Sequence, residues 1–153
     1  MTEERLQVIE KIRKAFANVT LEDGIGLKQA QGLDDYEDES TCAKYRESDE
    51  KEDWSKFSPN ELASCHSSLS FFDPKGMRFH LPAFLIAELE GTIFMSTDFY
   101  LTQLDDFKIS KLTLLSAEQK RAVEAFLWEI LKDETFEYRW GEISTALEDY
   151  WMK

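Results

Sequence analysis

A predominantly helical α+β fold, a single domain over residues 1–153 with a small antiparallel β-hairpin at about 68–81, follows from three features of this sequence. Thr2, Ser58 and Ser116 each stand before a first turn carrying Glu or Gln, the residues that satisfy the orphan donors of a helix start. Apolar residues return at helical spacing near both ends of the chain. Between them, "LSFFDPKGMRFHL" sets turn residues between two apolar runs, which is a hairpin pattern.

From Thr2 onward, Glu3 and Glu4 sit where the helix dipole favours anions, and Leu6, Ile9, Ile12 and Phe16 define one buried face. "EDGIG" ends that helix, and "LKQAQGLDDY" reads as a short second helix weakened by Gly32. Residues Asp34 to Asp53 hold ten acids and three bases, a net −7 that exceeds half of the whole chain's −13. Such a run reads as a solvated loop or helix face, anchored only by Tyr36, Tyr45, Trp54 and Phe57. "SPNEL" then starts a helix, with Ser58 as cap, Pro59 in the first turn and Glu61 closing a capping box.

In the central stretch, Asp73, Pro74 and Gly76 suit a type I turn followed by a left-handed residue, so Pro74, Lys75 and Gly76 form the hairpin loop. That register places Leu69, Phe71, Phe79 and Leu81 on a core face and Ser70, Phe72, Arg78 and His80 on a polar one. Pro82 ends the strand and opens a helix through "AFLIAELE", apolar all round and therefore central. Residues 92–115 are mixed: Thr92 to Met95 and Ile109 to Leu115 favour strand, while Asp98 to Leu104 suit a turn of helix. Ser116 and Gln119 begin a helix whose Val123, Phe126, Leu127, Ile130 and Leu131 keep the core-facing period. A last helix over about 142–151 presents Ile143, Leu147, Tyr150 and Trp151.

Composition bounds the function. The apolar fraction is 42%, with 11 Phe, 4 Trp and 5 Tyr, so a large core is available without disulfide or metal. A net charge of −13 opposes the phosphate attraction that drives nucleic-acid binding and is repelled by anionic membranes. Neither is an expected partner, whereas a basic protein is attracted. The start carries acids where a secretory leader carries bases, the longest apolar run is Ala83 to Ala87, and Cys42 and Cys65 form no CxxC pair; a cytoplasmic protein is expected.

Catalytic and cofactor signatures are weak. His66 and His80 are the only histidines, with no HExxH or CxxC spacing for a metal. Cys65, His66 and Asp73 carry the residue types of a nucleophile, base and orienter, but adjacent Cys65 and His66 need not face each other. "GIGLKQAQG" has Gly24 and Gly26 of a dinucleotide fingerprint with Gln29 at the third glycine. No cofactor or metal is expected.

The blocks "RESDEKEDW", "LSFFDPKGMRFHLPAFL" and "LTLLSAEQKRAVEAFLWEIL", with the closing Tyr150 and Trp151, resemble an uncharacterised bacterial domain family. Its members share D-x(3 or 4)-W, LSF-x-D-x-x-G-x-RF-x-LPA and Q-x-x-AV-x-x-FL. The resemblance runs from Phe16 onward and implies one cytosolic domain with a hairpin followed by Pro82; it implies no activity. By likeness Arg46, Asp49, Trp54, Asp73, Gly76, Arg78 and Pro82 fall on the shared pattern.

The first functional expectation is a non-enzymatic acidic interaction domain, monomeric or a weak homodimer, that binds a basic protein partner as an adaptor or an immunity-like neutraliser. Its contact segment is Asp34 to Asp53, with Tyr36 and Tyr45 interleaved. Candidate binding residues are Arg78, His80, Phe72, Asp49, Arg46 and Tyr45. Arg78 is expected to pair with Asp49 or Asp53, docking the acidic segment or lining a groove with Phe72 and His80. The alternative is a small hydrolase or ligand-binding domain with a pocket around Arg78, His80, His66 and an acid of the 49–53 region, His80 titrating near neutrality. A subunit of a larger assembly, marked by an exposed aromatic patch, is the third.

Overall fold

Capping chemistry starts the helices largely where the sequence marks them. In a computed structural model describing residues 1–153, the chain forms α1 (Glu3–Ala15), α2 (Leu27–Asp34), α3 (Glu39–Ser48), α4 (Pro59–Ser64), α5 (Ser68–Phe71), α6 (Pro74–Glu90), α7 (Asp106–Ser110), α8 (Ala117–Leu131) and α9 (Trp140–Ala146). Short 3₁₀ turns join several of them, and a π-turn, Leu147–Trp151, extends α9. Thr2 Oγ1 accepts the Arg5 amide at 3.1 Å. Ser58 with Glu61, and Ser116 with Gln119, close reciprocal capping boxes.

No strand forms anywhere, so the fold is all-α and the expected hairpin is replaced by helix. Asp73 is the N-cap of α6: its Oδ1 accepts from the Gly76 amide at 2.8 Å, and Pro74 occupies the first turn, where a missing N–H costs nothing. The same Asp-Pro pair serves a turn or a helix start, and the partners open to the next residues decide between them. A lone hairpin is marginal in water, and neither 92–95 nor 109–115 supplies a further strand. A helix instead satisfies its interior backbone groups within itself. It also buries twelve of its seventeen residues, Phe79, Leu81, Phe84 and Leu85 completely. Each such side chain contributes roughly 1.5–3 kcal/mol, enough to offset the ~3 kcal/mol penalty of Pro82 inside the helix.

α6 is thus the centre of the domain, two turns longer at its start than the Pro82 expectation. α1 packs on both α6 and α8, α2 lies against α3 and α5, and the 3₁₀ turns at 54–56 and 97–101 contact α6. Indole donors pin the chain across this core: Trp54 Nε1 donates to the Phe16 carbonyl and Trp151 Nε1 to the Leu101 carbonyl, each at 2.8 Å. No helix is long and apolar enough to cross a membrane.

The start of α6 is clamped to the turn after α1. Asp73 Oδ1 also accepts the Ile25 amide at 2.9 Å, and a Cβ on Gly76 would lie 2.7 Å from the Ile25 carbonyl oxygen, so only glycine allows the approach. Asp73→Ala removes a helix cap and strands a partly buried amide together. Urea unfolding is expected to show a loss of about 2 kcal/mol, with Asp73→Asn much closer to wild type.

Candidate functional site

Two of the expected binding residues, Arg46 and Arg78, converge on the turn at 22–24. Arg46 donates from Nε to the Gly24 carbonyl at 3.0 Å and from Nη2 to the Glu22 carbonyl at 2.8 Å. Arg78, leaving α6, donates from Nη2 to Glu22 Oε2 at 2.5 Å. Lys75 joins them, 2.6 Å from Asp23 Oδ1 and 3.7 Å from Glu22 Oε1. The hydrogen bond and charge of Lys75 hold the Asp23 carboxyl below the ordinary range. Three cations therefore girdle a turn bearing two carboxylates.

Beside this turn lies a cleft of about 290 Å³ lined by Asn18, Thr20, Glu22, Arg78, Ser116 and Gln119, with Val19 and Leu114 as its apolar members. Asn18 and Glu22 both have left-handed backbone, φ 66° and 56°, a conformation that is uncommon outside glycine and concentrates at functional sites. Glu22 carries no sequence signal beyond its place in the "EDGIG" break, because its partners Arg46 and Arg78 are remote in the chain.

The expected pairing of Arg78 with Asp49 or Asp53 does not form. Asp49 caps α2 from outside, accepting from the Lys28 amide at 3.0 Å and the Gln29 amide at 3.1 Å, while burial pushes its carboxyl up. Asp53 accepts from the Ser55 amide and hydroxyl. Tyr45 is half-buried over Gly32, with the Lys28 ammonium 4.7 Å from its ring centre.

His80 and Phe72 are brought together, but in the core rather than on a polar face. Their rings stack with centroids 4.2 Å apart and planes within 1°, and Phe57 and Phe79 also pack against the imidazole. His80 Nδ1 is 2.7 Å from the Gly76 carbonyl, so it carries the proton, while Nε2 is buried without a partner. Burial, against the weaker pull of Gly76 and Asp73, lowers its pKa from 6.5 to about 3. It stays neutral near pH 7, and it does not line the Arg78 cleft. His66 is exposed, the buried Cys65 thiol is pushed up by burial, and Asp73 is committed to capping α6. No group of three His, Cys, Asp or Glu residues is placed to hold a metal.

Of the two forms expected for the acidic segment, solvated loop or helix face, its middle takes the second: α3, capped by Asp38, packs along α2. Two of its three bases face inward. Arg46 binds the 22–24 turn, and Lys51 Nζ donates to the carbonyls of Arg46, Glu47 and Asp49 at the end of α3. The acids Asp35, Glu37, Asp38, Glu39, Glu47 and Glu52 remain exposed. At the corner between α2 and α3 the Glu37 amide bonds to the Gly32 carbonyl and the Tyr36 amide to the Leu33 carbonyl, a Schellman ending. Its left-handed position, normally glycine, is Tyr36 at φ 58°, with the residue 95% exposed.

A further cleft of about 480 Å³ runs between Trp54, Phe57, Leu62, Ile86 and Ala87, with Arg13 and Glu90 as its charged members. Ser55 and Thr92 are its uncharged polar members.

The sequence profile of a family described as "Family of unknown function (DUF6714)" matches residues 4–153, and the chain belongs to that family. The matched span includes the blocks at 46–54, 69–85 and 112–131 that carry the resemblance noted from the sequence. No curated protein and no solved structure matches the chain.

Proposed function

We propose that this member of a family without an assigned function is a cytoplasmic, non-enzymatic interaction domain, monomeric or weakly dimeric. It presents the corner between α2 and α3 to a basic protein partner. The observation that carries this reading is Tyr36. A tyrosine in the glycine position of a Schellman ending strains the backbone, and an almost fully exposed ring returns nothing to the core. An aromatic side chain ringed by Asp34, Asp35, Glu37, Asp38 and Glu39 has instead the composition of an interface anchor. The surrounding charge steers a cationic surface toward it. Turning Arg46 and Lys51 inward leaves Lys44 as the only base of the segment on its outer side, which sharpens the negative field.

The reading makes opposite demands on one residue. Tyr36→Gly is expected to stabilise the fold by about 1 kcal/mol in urea unfolding, because glycine adopts the left-handed conformation without strain. The same substitution is expected to weaken partner capture at least tenfold. Capture from a native-host lysate should also fall steeply between low and high salt. An undiminished yield with Tyr36→Gly, or no salt-sensitive partner at all, would remove the proposal.

A further inference from the structure

We infer that the cleft beside Arg78 binds a small monocarboxylate, which displaces Glu22 from the guanidinium. Arg78 offers a fork of N–H donors suited to meeting both oxygens of a carboxylate. Glu22 uses only one of them, Nη2 at 2.5 Å, and the Nε–H is buried with no acceptor. A carboxylate seated side-on along the Nε and Nη2 edge satisfies both donors, which is the ordinary bidentate geometry for this pair.

Glu22 is built to move aside. Its side chain is 49% exposed against 21% for Arg78, and Lys75 already stands 3.7 Å from its other oxygen. Rotating toward Lys75 leaves it ion-paired while Arg78 is released. The ligand's charge follows from the local balance, in which Arg46, Lys75 and Arg78 face Glu22 and Asp23. The net single positive charge suits a monoanion better than a phosphate dianion, on a chain whose total of −13 repels multivalent anions. Asn18, Thr20 and Ser116 give the rest of the cleft uncharged hydrogen-bonding groups, while the Gln119 amide is held by the Ser116 N–H and the Ala15 carbonyl, so the favoured ligand carries a hydroxyl or amide near its carboxylate. The cleft's volume of about 290 Å³ fits a metabolite-sized molecule.

Acetate and lactate titrations at pH 7 and constant ionic strength, with chloride as control, test this by ¹H–¹⁵N NMR. The Arg78 Nε–H signal and the backbone amides of Thr20 and Ser116 are followed. The expected result is a saturable shift with both carboxylates, larger affinity for lactate, and only linear drift with chloride. Glu22→Gln, which removes the resident carboxylate charge, should bind acetate about tenfold more tightly. Arg78→Lys should abolish the Thr20 and Ser116 shifts. Acetate behaving as chloride does in the wild-type chain overturns the inference, as does saturation that persists undiminished in Arg78→Lys.

Discussion

Between pH 7 and pH 5 the wild-type chain is expected to lose about 2 kcal/mol more stability than a His80→Phe variant. The difference comes from one imidazole with no exposed surface, whose pKa burial lowers from 6.5 to about 3. In the unfolded chain His80 takes up its proton near 6.5; in the folded chain it does so only near 3. Between those values the unfolded state binds more protons, so this group's contribution is complete above pH 6.5 and is lost as the pH falls. Each unit is worth about 1.4 kcal/mol, giving about 2 at pH 5 and about 4 at pH 3. Phenylalanine keeps an aromatic face against Phe72 and removes the unpartnered Nε2. The Gly76 carbonyl keeps its helical partner, the backbone amide of residue 80. Burial raises Asp49, Glu88 and Asp98, whose contributions change in the opposite sense, falling as pH rises. They are common to both chains and cancel in the comparison. Urea unfolding of both chains at the two pH values measures the difference, and parallel losses would show that His80 titrates as an exposed histidine does.

That histidine also marks how far the sequence can be read. Local signals are legible: Thr2, Ser58 and Ser116 cap helices, and the period through Val123, Phe126, Leu127 and Ile130 does face the core. The central block misleads because Asp73 and Pro74 are equally good at turning a hairpin and at starting a helix. Alternation over four residues then sorts Arg78 and His80 onto a common polar face. In a helix those two residues are about 200° apart, and the structure sends one to a cleft and the other into the core. Trp54 does belong to the core, as its sequence context indicates, but Asp49 is not recognisable as a cap, since the amides it accepts from, at Lys28 and Gln29, lie far earlier in the chain. Glu22 and the strain at Tyr36 escape notice for a related reason. Left-handed backbone at a non-glycine residue is a tertiary decision, and nothing in the local pattern announces it.

Arg139→Met is expected to cost about 3–5 kcal/mol at pH 7, the ordinary penalty for leaving a buried charge without its partner. Asp98 has no exposed surface and Arg139 only 7%, and their Nε and Oδ2 atoms lie 3.1 Å apart. The pair is ionic rather than well hydrogen-bonded: neither Asp98 oxygen nor Arg139 Nη2 has a directed partner, and the guanidinium lies 5.5 Å from the Phe99 ring centre. Burial raises the Asp98 carboxyl and Arg139 opposes it, so removing Arg139 must raise it further. The sign of the pH dependence follows. A raised carboxyl holds its proton better in the folded chain, so the penalty of Arg139→Met should shrink as pH falls from 7 to 5 and grow as it rises. Adding Asp98→Asn abolishes the charge at every pH, and the double variant should recover most of the loss. A double-mutant cycle by urea unfolding at both pH values checks this. Equal losses in single and double variants would assign the effect to the packing of Arg139 on Phe99 instead. Asp98 lies in the 92–115 stretch that periodicity does not resolve, and its partner arrives from the turn before α9. Buried charge is rare enough that composition gives no reason to expect it there, which is why a pair of this consequence has no trace in the sequence pattern.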